Sequence, residues 1–299
     1  RLSVRCANES KKNGESYYLI SEEKRREMVK RSVAAITDIY QNSILKDSSR
    51  NSFMIKRMEN LADRTIWAMG EQLKCGDFVP FVFEHKFNME VGDGDRKQLM
   101  SGTIDRVDIC ENDTDVYVRI IDYKTGKKDF NIVKTYYGID IQLMVYMEAA
   151  MKLVAKMRPG KNVIPAGVFY YNISDPIVSA TTESADEIED KIKGELRLKG
   201  MVNSDKDIAE KMDNTEGTSL NIPVSRKADG GFDSRRSKVM NTEQFNMLGR
   251  FVDVRAVDTA DRIAGGDIRR SPYKDGQFSS CDRCPYGAVC GFSVDLPGC

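Results

Sequence analysis

The stretch from Ser101 to Lys124 constrains this chain more than any other. It reads Ser-Gly-Thr-Ile-Asp-Arg-Val-Asp-Ile-Cys, a polar turn, then Val-Tyr-Val-Arg-Ile-Ile-Asp-Tyr-Lys. Two strand-like runs flank a turn rich in Asn and Asp between Glu111 and Asp115, which is a hairpin signal. A strand sends successive side chains to opposite faces. Val116, Val118, Ile120, Asp122 and Lys124 therefore share a face, on which apolar residues lead into a carboxylate and an amine. On the first strand Asp105 shares a face with Thr103, Val107 and Ile109, while Asp108 points the other way. One Asp from each strand can thus converge on a divalent cation, with a Lys beside it.

Hard cations such as Mg²⁺ take oxygen ligands, and one or two carboxylates suffice when phosphate and water complete the shell. Such a metal polarises a phosphoryl oxygen, and a nearby Lys offsets the charge that builds on the phosphate. An Asp-x-Lys triplet alone is very common and reads more simply as a solvated strand end. Gly-x-Ile-Asp-Arg-x-Asp, a short turn and then Ile-Asp-Tyr-Lys-Thr-Gly is much rarer in combination. With these residues the chain resembles the PD-(D/E)XK nuclease superfamily. Within it the chain is most similar to RecB-type nuclease domains, and among those to the B subunit (AddB) of AddAB-type helicase–nucleases.

The resemblance implies roles for particular residues. Asp105 and Asp122 would bind Mg²⁺ or Mn²⁺, the backbone carbonyl of Tyr123 would add a ligand, and Lys124 would be catalytic. Gln142 and Tyr146 match the family's Gln-x-x-x-Tyr and would touch DNA or brace the site. Being four apart on a helix, they share a face. Glu84, on the strand before the hairpin, reads equally as an accessory ligand or as a structural residue. His85 is the only His. It does not match the helical position of the family's ligand His, which is expected upstream of this sequence.

The chain has 299 residues, enough for one large domain or two. Its formal net charge is zero, so no global basic signal advertises nucleic acid, although local patches remain open. No apolar run approaches a membrane span and no signal peptide is evident. The sequence opens at Arg1, without Met, and reads as a piece of a longer protein.

Taken in order, residues 1–76 are an N-terminal helical part. Helices are predicted from Ser21 to about Tyr40 and from about Ser52 to Cys75, after a loop tip at Lys11–Gly14. The second carries a stripe of Phe53, Ile55, Met58, Leu61, Ala62, Ile66, Met69 and Leu73. Residues 77–180 form the nuclease core. It begins with a strand from Phe78 to Phe87, on which Pro80 marks an edge or a beginning and Glu84 and Lys86 oppose Phe83, His85 and Phe87. A polar turn at Val91–Arg96 precedes the hairpin. The basic loop Thr125–Lys128 reads as phosphate contacts or as solvated charge. A helix from about Gly138 to Met157 and a central strand from Pro165 to Ile173 complete the core. Residues 181–270 are a helical and irregular extension, helical from Glu183 to Leu198 and from Thr242 to about Ile263, with a small excursion at Ser225–Lys238.

Residues 271–299 are a Cys-rich tail. Seven Cys, an odd number, argue against a secreted disulfide framework. Cys75 and Cys110 read as small core residues. Cys281-x2-Cys284-x5-Cys290 has ligand spacing for Zn²⁺ or an iron–sulfur cluster. The resemblance implies that Cys281, Cys284 and Cys290 hold a [4Fe–4S] cluster in the parent protein, with a fourth ligand upstream. Cys6 and Cys299 are only nominal substitutes for it.

The fold expected is α/β, a PD-(D/E)XK nuclease-like central mixed sheet flanked by helices. The function implied is Mg²⁺-dependent deoxyribonuclease action in double-strand break processing and recombinational repair. DNA and an AddA-type subunit would be the partners, in the bacterial cytoplasm. The alternatives are a Cas4-like exonuclease and a non-catalytic scaffold that binds DNA ends or a partner.

Overall fold

The computed structural model describes residues 20–39, 48–91, 97–179, 184–276 and 278–293. Two helices open it, α1 (Glu22–Ile39) and α2 (Ser49–Lys74). α2 begins earlier than its apolar stripe predicts, because the Ser48 hydroxyl accepts from the Asn51 amide and caps the helix there. Only the C-terminal half of the stripe is core. Ile66, Met69 and Leu73 are buried against Met28, Val29 and Val33 of α1, whereas Phe53 is 67% exposed.

The centre is a six-stranded mixed sheet in the order β1 (Val79–Val91), β2 (Gln98–Glu111), β3 (Asp115–Lys124), β4 (Asn162–Asn172), β5 (Lys199–Asn203) and β6 (Val239–Met240). The first three strands form an antiparallel meander, and β4 then runs parallel to β3. The crossover between them contains a short helix, α3 (Ile132–Tyr136), and the long α4 (Gln142–Met157). α4 starts four residues later than its sequence suggests, since Gly138 takes φ +76 and the chain turns there first. Beyond the sheet come α5 (Ala185–Glu195), α6 (Lys206–Met212) and α7 (Thr242–Ala264). The tail adds β7 (Lys274–Asp275), β8 (Phe278–Ser279), a 3₁₀ turn (Ser280–Arg283) and α8 (Gly287–Cys290).

The sheet separates two apolar layers. Val107, Ile109, Val116, Val118 and Ile120 face α4 and α7, where they meet Leu143, Val145, Ala150 and Val252. Tyr117, Ile121, Phe169 and Tyr171 face the other way, toward Ala68 of α2 and Ile208 and Met212 of α6. The alternation read from the hairpin therefore holds. β4 is buried from Ala166 to Tyr171, as befits a strand covered on both faces.

β1 departs from simple alternation. Its register slips between Pro80 and Val82, and Glu84 lies at φ +48. Phe83 consequently packs toward the α1–α2 layer while Phe87 joins the α4 layer, so the two do not share a face as expected. β1 is an edge strand, and Pro80 sits near its start. Two pieces of the extension are strands that the sequence left irregular, β5 and β6. Between them the excursion is tied by bridges pairing Thr218 with Ser225 and Arg226 with Phe232. Cys110 is buried, but Cys75 is only partly so, standing at the C-cap of α2. None of the described helices is long and apolar enough to cross a membrane. Lys11–Gly14, Cys6, Cys299 and most of the Val91–Arg96 turn lie outside the described residues.

Candidate active site

The hairpin turn fixes the register from which the site follows. Asn112 Oδ1 accepts from the amides of Thr114 and Asp115 at 2.9 and 2.7 Å, closing an Asx turn. Pairing then runs from Glu111 opposite Val116 to Arg106 opposite Ile121. One further step sets Asp105 beside Asp122. There the ladder ends, because the Asp105 carboxylate takes the place of a backbone carbonyl and accepts from the Tyr123 amide at 2.7 Å.

The site is completed by the first turn of α4. Lys124 Nζ lies 2.6 Å from Asp122 Oδ2 and donates to Gln142 Oε1 at 2.9 Å. Gln142 Nε2 donates to Asp122 Oδ1 at 3.2 Å and to the Tyr146 hydroxyl at 2.9 Å. The amide oxygen thus faces the cation and the amide nitrogen faces the carboxylate and the phenol. Gln142 thus ties Asp122, Lys124 and Tyr146 together. Tyr146 is itself held edge-on against Phe87, with ring centroids 5.7 Å apart. A Cβ at Gly102 would come within 2.9 Å of the Phe87 ring and 3.3 Å of the Tyr146 ring. A larger residue there would make these rings shift.

The electrostatics are those of crowded carboxylates. Burial pushes the Asp105 carboxyl above the ordinary range, and the charges of Asp122 and Glu84 push it the same way, against the Tyr123 amide and Lys124. Burial also raises Asp122, despite the hydrogen bond and charge of Lys124. Glu84 is thus close enough to act on Asp105, and it holds the only left-handed backbone among described non-glycine residues. Such strain costs about 1–3 kcal/mol and is characteristic of functional positions. Asp105 and Asp122 supply carboxylate oxygens, the donor type that a hard cation takes. The next residue on this strand, His85, carries no role in this arrangement.

Behind the hairpin lies a group the sequence did not reveal. Arg106 clasps Asp108 in a two-point ion pair at 2.6 and 2.7 Å, and Arg119 Nε reaches the same carboxylate at 2.9 Å. All three are fully buried. Burial alone would raise the Asp108 pKa, but the two guanidiniums bring it below the usual carboxylate range. A second unforeseen pair is Asp140 and Tyr170. The Tyr170 hydroxyl donates to Asp140 at 2.7 Å, and Lys128 reaches the same oxygen at 3.0 Å. The sequence signal was only an Asp two residues ahead of Gln142.

The tail cysteines are separate from this site. Cys281 and Cys284 are exposed and Cys290 is partly so. The Cys284 amide bonds back to the Cys281 carbonyl at 3.1 Å. Among the described residues, no group of three or more His, Cys, Asp or Glu side chains stands close enough to hold a metal ion. Neither the three thiols nor Asp105, Asp122 and Glu84 together form such a set in this structure.

Comparisons with known proteins bear on the chain as a whole. The sequence family described as the PD-(D/E)XK nuclease superfamily matches residues 15–291. The chain is 36% identical over 266 residues to the B subunit of the ATP-dependent helicase/deoxyribonuclease of Clostridium botulinum strain Hall, covering 85% of this chain and 23% of that protein. It is 35% identical over 277 residues to the corresponding protein of Caldanaerobacter subterraneus subsp. tengcongensis, covering 89% and 24%. It is 33% identical over 293 residues to that of Lachnoclostridium phytofermentans, covering 95% and 25%. The chain spans about a quarter of the length of these relatives. With the hairpin, the sheet order and the match over nearly its whole length taken together, this chain belongs to the PD-(D/E)XK nuclease superfamily.

Proposed function

We propose that this chain is the nuclease unit of a helicase–nuclease subunit, hydrolysing phosphodiester bonds of DNA during the processing of double-strand breaks. The observation that carries this reading is the joining of Asp122, Lys124, Gln142 and Tyr146 from one strand and one helix into one bonded group, with Asp105 of the neighbouring strand held on the amide of Tyr123 between Asp122 and Lys124. The relatives' names, which join helicase and deoxyribonuclease in one protein, support the wider context.

In this reading Asp105, Asp122 and the Tyr123 carbonyl hold Mg²⁺ or Mn²⁺, with Glu84 as an accessory carboxylate. The metal, when bound, polarises the phosphate and favours ionisation of water. Asp105 and Asp122 must both be ionised to receive it. Gln142 holds the Lys124 amine at the mouth of the site, where it neutralises charge developing on the attacked phosphate. Lys127 of the basic loop contacts the strand. An AddA-type subunit is the partner, and the work is done in the bacterial cytoplasm. A [4Fe–4S] cluster on Cys281, Cys284 and Cys290 needs the tail to rearrange and a further ligand, so no step is assigned to it. The compact Cas4-like alternative is less suited, because β5, β6 and α7 of the long extension are integral to the sheet and its core.

The test is cleavage of linear single- and double-stranded DNA in Mg²⁺ or Mn²⁺, comparing the chain with Lys124→Ala. Cleavage lost in the variant supports the reading. Cleavage indifferent to Lys124→Ala, in this chain or in the full-length protein with its partner, sinks it.

A further inference from the structure

A cavity of about 470 Å³ opens beside the catalytic hairpin, on the side away from Glu84. Its walls are the loop after β3, with Thr125, Lys127 and Lys128, the end of β4, with Asn172 and Ser174, and Lys199 at the start of β5. Asn172 fixes the loop by accepting from the Lys128 amide at 3.0 Å and donating to the Lys128 carbonyl at 2.9 Å. Asp122, Tyr170 and Lys199 stand opposite one another on three neighbouring strands. Paired residues share a face, and strands are about 4.8 Å apart, so Lys199 is about 10 Å from Asp122 along the sheet.

The charges in this cavity are unevenly matched. Lys128 is paired with Asp140, and it lies 4.7 Å over the Tyr170 ring. Asp129 and Glu195 also line the cavity, but Asp129 is paired with Lys238. Among the described residues neither Lys127 nor Lys199 forms an ion pair. Burial, with Arg197 and Lys238 adding to it, holds the Lys199 amine below its usual pKa against the opposing charges of Asp129 and Glu195. An anion in the cavity would reverse that.

We infer that this cavity is a second phosphate subsite. In it Lys199, with Lys127 and the hydroxyls of Thr125 and Ser174, holds an internal backbone phosphate of the DNA strand, one to three linkages from the phosphate that is cleaved. The inference rests on the nuclease reading for its ligand. The spacing fits, because phosphates of one strand recur about every 3.4 Å along a duplex axis. Half-burial makes Lys199 a more effective anion partner than a fully solvated lysine, because its charge is less screened.

The experiment is binding of a short fluorescein-labelled oligothymidylate to the whole chain, followed by anisotropy in EDTA over a salt series. Binding is read without cleavage, so a failure of this subsite and a failure of the catalytic assignment are separate results. Lys199→Gln is expected to weaken binding roughly tenfold at low salt, as loss of one charge-assisted bond does. It should also reduce the slope of log K against log salt by about 0.7. Lys199→Arg should stay near wild type. Lys156→Gln, at the far end of α4, should leave the slope unchanged. A single neutral methylphosphonate at the responsible linkage should weaken wild type but not Lys199→Gln.

An unchanged Kd and slope for Lys199→Gln overturns the proposal, as does an equal loss for Lys156→Gln. So does a loss confined to oligonucleotides bearing a terminal 5′-phosphate, which would make the ligand a strand end. Should Lys199→Gln melt early, the exposed Lys127→Gln must reproduce the smaller slope. A wild-type slope in that variant is equally fatal.

Discussion

At the scale of one residue, Asp105 sets the proposed function against stability. Its carboxyl is pushed up first by burial, then by Asp122 and Glu84. A carboxyl with a raised folded pKa favours the folded state at low pH, and that contribution is lost as pH rises through the folded value. At neutral pH the ionised Asp105 is therefore a burden. Asp105→Asn keeps an oxygen to accept from the Tyr123 amide and removes the charge. It should raise the melting temperature at neutral pH, with the gain shrinking as pH falls, while cleavage disappears. A lower melting temperature at neutral pH would contradict this account. The same raised carboxyls predict that more metal is needed for cleavage as pH is lowered, because protons compete for both aspartates. Lys124→Ala should reduce the cleavage rate by about 10²–10³-fold, the usual cost of removing one group that stabilises transition-state charge. Single-turnover kinetics at saturating DNA measures this directly.

At the scale of elements, the hairpin is held in shape by a buried ion triad on one side and a helix on the other. Arg106 and Arg119 share Asp108 where water does not reach. Breaking such a group by removing one partner typically costs about 3–5 kcal/mol, because the remaining charges stay buried without compensation. Asp108→Asn should lower stability by about that amount in urea melts, although Asp108 does not touch the candidate site. Its folded pKa is lowered, so the stability it confers is present above the unfolded value and lost as pH falls through the folded one. On the opposite side, Gly102 allows Phe87 to support Tyr146. Gly102→Ala should displace Tyr146 and loosen Gln142, lowering the cleavage rate about tenfold with little change in DNA affinity. Full activity in Gly102→Ala would show that Tyr146 is not a brace.

For the whole molecule, the site joins pieces distant in sequence, so ligands should stabilise all of them together. Mg²⁺ or Mn²⁺ at 100 times its Kd should add about 2.7 kcal/mol to folding. That gain should vanish in Asp105→Asn, as a metal titration by scanning calorimetry would reveal. Much of this was legible in the amino-acid order. Period-two alternation and an Asn-rich turn determine the hairpin, and with it the meeting of Asp105 and Asp122, because strand geometry is local. The helix bearing Gln142 and Tyr146 is equally local, and so is the buried run of β4. β5 and β6 were not legible, being short strands whose partners lie elsewhere in the chain. Nor was the left-handed backbone at Glu84, a conformation that the residue does not prefer and that no local pattern marks. The sequence by itself determined which carboxylates and which amine share a hairpin face. Only the tertiary structure decided that Gln142 clamps Lys124 to Asp122, that Asp108 is locked between two arginines, and that Lys199 stands in line with the site. Those contacts depend on packing between segments far apart in sequence, which no local periodicity encodes.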